Sequence, residues 1–431
     1  MVSQPAAPPW PEAVAEVLAV LEGAGHSAHV VGGTVRDHLL GRPVHDFDIA
    51  TSARPEEVMA LFDHTIATGV RHGTVTVVLG GLTVEVTTYR LESGYSDGRR
   101  PDCVWFTDDL VADLARRDFT VNAMAMDLRG RLIDPFGGRA DLLARRLRAV
   151  GDPRQRLGED ALRILRGVRL AAELGFAIEP GTLAGMTEQA ARLLGISRER
   201  IGQELARLLQ ADWWHVLPWF AAGPWLEVLP SPWPRLRHGL ARLAARADEA
   251  SAWRALCPDG AEARVCVSAV TWMVAADEPP DTAGPLARAV AWPNRRGRRV
   301  RDLADVVRLI PTLHGAAAWR RFLFRRDPDD VRTGAALCDW FSPGKAPNTV
   351  SWAETAHRWL RTQPLWHLTD LAFDGQDALR LGVRGPDVGK LLQALADAVL
   401  QGEVANEHLA LCELARRWVQ GKHSRGRGGD G

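Results

Sequence analysis

Lysine is nearly missing from this sequence: Lys345, Lys390 and Lys422 are the only three among 431 residues. The positive charge is therefore carried by arginine, whose planar fork of donors suits phosphates and base edges. A general arginine preference of the source would give the same count, so the bias alone assigns nothing. Cysteine is scarce as well. Cys103, Cys257, Cys266, Cys338 and Cys412 are odd in number, scattered and free of CxxC spacing, which argues against both a disulfide framework and a zinc site. No run approaches the ~18 apolar residues of a membrane span. The opening MVSQPAAPPWPEAV has neither the basic start nor the apolar stretch of a secretory leader, so a reducing cytoplasm is the expected location. Net charge is absent too, with 53 basic against 53 acidic residues. That balance argues against a chain that coats nucleic acid non-specifically, and it leaves local basic faces open.

A content of 46% apolar and 25% charged residues places the chain among folded globular proteins. Its length predicts two to four packed units. Up to about residue 145, β-branched runs punctuated by glycine (HVVGG, DFDIAT, GTVTVVLGG and LTVEVTTYR) read as short strands. The two glycines between the last pair predict a hairpin. Beyond that point Ala-, Leu- and Arg-rich segments with helical spacing dominate, broken by Pro and Gly at 223–235, 277–285 and 325–348. The tryptophans, 16 in all, stand mostly in apolar helical text, which favours helix packing over base stacking.

Three blocks carry chemistry. In VVGGTVRDHLLGRPVHDFDIATSA, residues 30–53, a strand ends at Gly32-Gly33 and a short helix follows. Two residues without side chains let a triphosphate approach the backbone N–H groups at the positive helix end, with Arg36 one turn in. Asp46 and Asp48, at i and i+2 of the next strand, point to one face. Two carboxylates so close repel, and a divalent cation relieves that repulsion while leaving positions open for phosphate oxygens. Glu85 sits mid-strand between Val84 and Val86; a carboxylate there needs a partner, either a metal site or an arginine such as Arg90. The second block, DLARRDFTVNAMAMD (113–127), reads as a helix in which Asp118 and Asn122, at i and i+4 beside Arg116 and Arg117, form a polar patch. In the third, RAVGDPRQRLGEDALRILRGVRLAAELGF (148–176), Asp160, Arg163, Arg166 and Arg169 recur every three residues and line one helical stripe. Such a stripe is either a solvated, salt-bridged face or a donor–acceptor set suited to base edges.

Together these blocks resemble the class II tRNA nucleotidyltransferase and bacterial poly(A) polymerase family. GGTVRD with DFDIAT is similar to its first motif, RRDFTVNAMA to its second, LIDPFGG (132–138) to its third and EDALRILRGVR to its nucleotide-selecting motif, while ISRERIGQEL (196–205) resembles the segment that follows. The clear likeness covers residues 28 to about 206 and returns more weakly near the end. It implies an α+β fold: a polymerase-β-like head with a small mixed sheet (1–144), then a mostly helical neck (145–206), body (207–325) and tail (326–421); by composition, 422–431 reads as a basic, disordered end.

By position, the resemblance implies that Asp46 and Asp48 bind Mg²⁺; the mechanism such a site supports makes the mid-strand Glu85 the candidate to align or deprotonate the nucleophile. The resemblance also implies that Gly33 and Arg36 contact the triphosphate, with Gly32 counted beside them for the room it leaves, and that Arg117, with Asp118 and Asn122 nearby, holds phosphate and ribose. Asp160 and Arg163 would read the base, with Arg166 and Arg169 completing the pocket. The implied activity is template-independent addition of C, C and A to the tRNA 3′ end from CTP and ATP, with the acceptor and TΨC arms along the later domains. ESGYSDGRRP (92–101) resembles a flexible loop that CCA- and A-adding members keep, which leaves A-only addition as the alternative ahead of CC-only or poly(A) synthesis. A non-catalytic RNA-binding module would have no reason to keep these carboxylates together. The Arg295, Arg296, Arg298, Arg299 and Arg301 cluster is either a contact for tRNA phosphates or a solvated helix face.

Overall fold

The computed structural model describes residues 10–93, 103–346 and 350–426. In the first part of the chain the β-branched runs become strands and the turn residues separate them. Helix α1 (Glu12–Gly23) buries Val14, Val17, Leu18 and Leu21, the i, i+3, i+4, i+7 positions of one apolar stripe. Strand β1 (Ala28–Val31), helix α2 (Gly33–Leu39), strand β2 (Phe47–Thr51) and helix α3 (Pro55–Leu61) follow. Then come β3 (Thr65–Gly69), β4 (Thr74–Leu79), β5 (Leu82–Thr88) and a separate ribbon of β6 (Arg90–Ser93) and β7 (Cys103–Phe106). After helix α4 (Leu110–Ala115), the short strands β8 (Ala125–Met126) and β9 (Leu132–Ile133) complete a mixed seven-stranded sheet of order β3-β4-β5-β2-β1-β8-β9.

The pleat sorts this sheet into two faces. Strands β2 and β5 pair in parallel, with Phe47 opposite Val84, Asp48 opposite Glu85 and Ile49 opposite Val86. The four apolar members are buried, while Glu85 is exposed on the other face. Burying each valine contributes about 1.5–3 kcal/mol, and a slip of one residue would turn the carboxylates into that core. The predicted hairpin joins β4 to β5 through Gly80 and Gly81, with φ of 57° and 77°, the positive angles a tight two-residue turn requires.

Helices take over from α5 (Gly138–Leu143). They continue through α6 (Pro153–Glu159), α7 (Leu162–Leu174), α8 (Pro180–Gln189) and α9 (Arg198–Gln210). Asp152 caps α6, accepting from the N–H of Arg154, with Pro153 in the first turn. Trp213, Trp225 and Trp233 are wholly buried in this helical region, and the Trp233 indole donates to the Leu286 carbonyl. The tryptophans here are packing residues. One compact unit runs to residue 245 and takes in 286–292; the other comprises 246–285 and continues from 293.

The second unit, among the described residues, is helical throughout. Helices Asn294–Leu309 and Pro328–Phe341 approach so closely that a Cβ on Gly334 would lie 2.3 Å from a Val306 methyl. Asp327 caps the second of them. The last helix, His408–Gly426, continues into the segment expected to be disordered; residues 427–431, and most of the 92–101 loop, lie outside the described residues. No helix among the described residues is long and apolar enough to cross a membrane. Cys257, Cys266, Cys338 and Cys412 are free thiols.

Candidate active site

A cavity of about 420 Å³ opens in the first unit between the carboxylate face of the sheet and helix α7. One wall holds Asp48 and Glu85 beside Gly32 and Gly33. Thr34 fixes that wall: its hydroxyl donates to the Asp46 carbonyl (3.0 Å) and accepts from the Asp48 N–H (3.2 Å). Asp46 stands one residue before β2, is exposed, and does not line the cavity, although its charge acts on Asp48. Glu85 has no ion pair among the described residues, so the alternative of a Glu85–Arg90 bridge is not what the structure contains. Gly32 adopts φ 71°, ψ −137°, a region essentially restricted to glycine. A Cβ there would lie 3.0 Å from Arg117 Nη1 and 3.8 Å from an Asp48 carboxylate oxygen.

The facing wall is guanidinium-rich. Arg116, Arg117, Arg163 and Arg166 all line the cavity, as do Arg36, Asp118 and Asn122. Asp118 and Asn122 do meet, but not on a helix: α4 stops at Ala115, Asp118 lies in the loop beyond it, and Asn122 ends a single 3-10 turn. The predicted helix fails there because the Asp118 carboxylate bonds its own backbone, accepting from the Phe119 N–H at 2.8 Å, the competition that makes aspartate a helix breaker. The Asn122 amide donates to Asp118 (3.1 Å) and its oxygen accepts from Arg36 (2.7 Å). Arg166 pairs with Asp118 at 3.1 Å. Burial opposes ionisation of Asp118, yet Arg166, Asn122, Arg163 and the Phe119 N–H hold its carboxyl below the usual range.

The predicted stripe through Asp160, Arg163, Arg166 and Arg169 is also corrected. Asp160 is extended (φ −139°, ψ 104°) between α6 and α7, because its side chain bonds the Leu162 N–H at the start of the next helix. Its carboxylate pairs with Arg200 at 2.6 Å and does not line the cavity. Arg163 reaches the cavity while bonding Glu159 (2.6 Å) and the Arg156 carbonyl (2.7 Å). Arg169 lines it too, largely buried between Glu204 and Glu173, each at 2.6 Å.

Sequence reasoning passed over Asp113 and Thr34, and placed Arg116 in the polar patch without giving it a role. Asp113 carries a visible signal, standing three and four residues before Arg116 and Arg117. Its buried carboxyl is opposed by desolvation but held below the ordinary range by those two arginines.

Asp48 shows what a cation would do here. Burial first, then the Glu85 charge, raise its carboxyl to about 6; Arg117 opposes this and Asp46 adds to it. Among the described residues no three His, Cys, Asp or Glu side chains converge on one point. Asp48 on the cavity wall, with the Asp46 charge two residues before it and just ahead of the strand, nonetheless fits a divalent ion that completes its shell from substrate oxygens and water.

Two family models match the chain: the poly(A) polymerase head domain over residues 28–148 and the probable RNA- and SrmB-binding site of polymerase A over 175–217. A CCA-adding enzyme of Limosilactobacillus fermentum is 36% identical over 413 residues, 93% of this chain and 95% of that one. One from Geobacillus stearothermophilus is 38% identical over 418 residues, again 93% and 95%. The crystal structure of the Bacillus stearothermophilus CCA-adding enzyme in complex with CTP superposes with a TM-score of 0.79 at 34% identity, covering 97% of this chain and 100% of that one.

Proposed function

This chain belongs to the class II tRNA nucleotidyltransferase family as one of its CCA-adding enzymes, and from that premise we propose which of its residues do the work. The protein is a nucleotidyltransferase that adds C, C and A to tRNA 3′ ends from CTP and ATP without a nucleic acid template. Families of this kind use a divalent metal; Mg²⁺ is our reading for this chain, held by Asp46 and Asp48. When bound, such ions neutralise triphosphate charge and lower the pKa of the attacking hydroxyl.

The chain's own residues divide the remaining tasks. Gly32 and Gly33 leave room for phosphates against the backbone, and Arg36 and Arg117 supply the counter-charge. Asp118 and Asn122 hold the ribose side. Glu85, exposed beside Asp48 on the same face, orients the RNA 3′ hydroxyl for in-line attack on the α-phosphorus as pyrophosphate leaves. Arg163 reads the base edge, with Arg166 and Arg169 behind it. Asp160 contributes from outside the cavity lining, where the pair with Arg200 orients its carboxylate. We assign catalysis to the head (1–144), base selection to the neck (145–206) and tRNA binding to the body and tail.

The observation that carries this assignment is a cavity of the first unit in which Asp48 and Glu85 face the guanidinium wall. The decisive experiment gives purified protein tRNAs ending before CCA, after C or after CC, with CTP and ATP singly and together, and sequences the products. Completion to CCA from every start is expected. Addition of A to CC ends alone would reassign the chain to A-adding activity.

A further inference from the structure

We propose that Asp113 is the positioning residue of the phosphate-binding wall, acting through Arg116 and Arg117; this rests on reading the cavity as the nucleotide site. Asp113 does not line the cavity and its side chain is only 1% exposed, so it cannot touch substrate. Its carboxylate is nonetheless fully engaged. One oxygen accepts from Arg116 Nε (3.0 Å) and Nη2 (2.8 Å) and from the Arg90 N–H (3.3 Å). The other accepts from Arg117 Nη2 at 3.2 Å. All four donors belong to three residues that line the cavity, Arg90, Arg116 and Arg117.

Physical chemistry gives this arrangement a purpose. Guanidinium groups converging on one space repel each other, and a long arginine side chain loses much freedom when it is fixed. A buried anion behind them offsets the repulsion and sets their direction before substrate arrives. Arg117 shows the result. While Nη2 bonds Asp113, Nη1 lies 3.0 Å from the point where a side chain on Gly32 would begin. The fork thus spans the distance from the buried carboxylate to the glycine turn. A polyphosphate laid against that turn meets a guanidinium already oriented, and the ordering cost of binding falls. The recognised group is charge on the phosphate chain, which CTP and ATP share, so Asp113 governs how tightly either binds and not which is chosen.

The test uses the full chain as wild type, Asp113→Asn, Arg117→Lys and the double variant. It measures the affinity of inorganic tripolyphosphate by displacement of a fluorescent nucleotide, the KM for CTP, ATP and tRNA, and Tm. Tripolyphosphate has neither base nor ribose, and the displacement needs no chemistry. Asp113→Asn is expected to weaken tripolyphosphate and to raise KM for CTP and ATP by one common factor of about ten, with KM for tRNA unchanged. In the Arg117→Lys background the same change adds less than it does in wild type, the remainder being what Asp113 does through Arg116. Lower Tm with wild-type tripolyphosphate affinity, additive effects in the double variant, or unequal changes for CTP and ATP would each overturn the proposal. If Asp113→Asn does not fold, Asp113→Glu keeps the charge at altered length and is judged by the same common factor. Wild-type protein that binds tripolyphosphate but extends no tRNA overturns the reading of the cavity instead.

Discussion

Asp48 carries its carboxyl where burial, the Glu85 charge and, more weakly, Asp46 raise it to about 6, against a value near 3.8 in the unfolded chain. The folded protein therefore binds this proton more tightly than the unfolded one. The stability that results is fully present below pH ~4 and is lost as pH rises through about 6. At ~1.4 kcal/mol per pKa unit, ionised Asp48 costs about 3 kcal/mol at most in metal-free protein at pH 8. Asp48→Asn removes that cost. The variant is expected to melt several degrees above wild type at pH 8 in chelator, to lose this advantage at pH 4, and to incorporate no nucleotide. A divalent cation should raise the wild-type Tm at pH 8 far more than that of the variant. Thermal melts at the two pH values check both statements, and a variant less stable than wild type at pH 8 would show that repulsion does not dominate at this position.

The strands were legible in the sequence because alternation is enforced by burial: Val84 and Val86 could face only a core, which left Glu85 on the same side as Asp48. The Gly80-Gly81 hairpin was legible for the same kind of local reason, since its turn needs positive φ. The helix ends in the two later motifs were not. Asp118 and Asp160 both stand at helical spacing from their partners, yet each spends its side chain on a nearby backbone N–H and leaves the helix. Spacing counts residues and does not see that competition. Nor could it see that the LIDPFGG segment supports the turn that holds Asn122. Asp134 accepts from the N–H groups of Gly138 and Arg139 (2.7 and 2.9 Å) at the start of α5. That helix lies so close to the turn that a Cβ on Gly138 would sit 2.2 Å from the Thr120 carbonyl oxygen. Backbone cannot yield as a flexible side chain can. Gly138→Ala is expected to cost about 1–3 kcal/mol through overpacking and to raise KM for both nucleotides, since the displaced turn carries Asn122. Denaturant melts and steady-state kinetics read these effects; a variant with normal stability and normal KM would mean that the turn is not held by this contact.

Across the whole chain, acidic and basic residues cancel, so any grip on a polyanion must come from how the arginines are deployed. In the cluster at the start of helix Asn294–Leu309, Arg296 pairs with Glu262 (2.5 Å), Arg299 with Asp330 (3.2 Å) and Arg301 with Asp302 (3.5 Å). Those three are largely committed within the second unit. Arg295 and Arg298 stand exposed and enter no ion pair among the described residues. Of the two readings of this cluster, phosphate contact or solvated face, only these two side chains keep the first available. A guanidinium that neutralises one phosphate releases about one counterion, so each contact adds roughly 0.9 to the slope of log affinity against log salt. Replacing Arg295 and Arg298 together by alanine is expected to weaken tRNA binding and to flatten that slope by about two. KM for CTP and ATP at saturating tRNA should stay as in wild type, because every residue lining the nucleotide cavity lies in the first unit. Binding titrations across a range of salt concentrations decide the matter: an unchanged slope assigns both arginines to solvent and leaves the phosphate contacts to other side chains of the helical units.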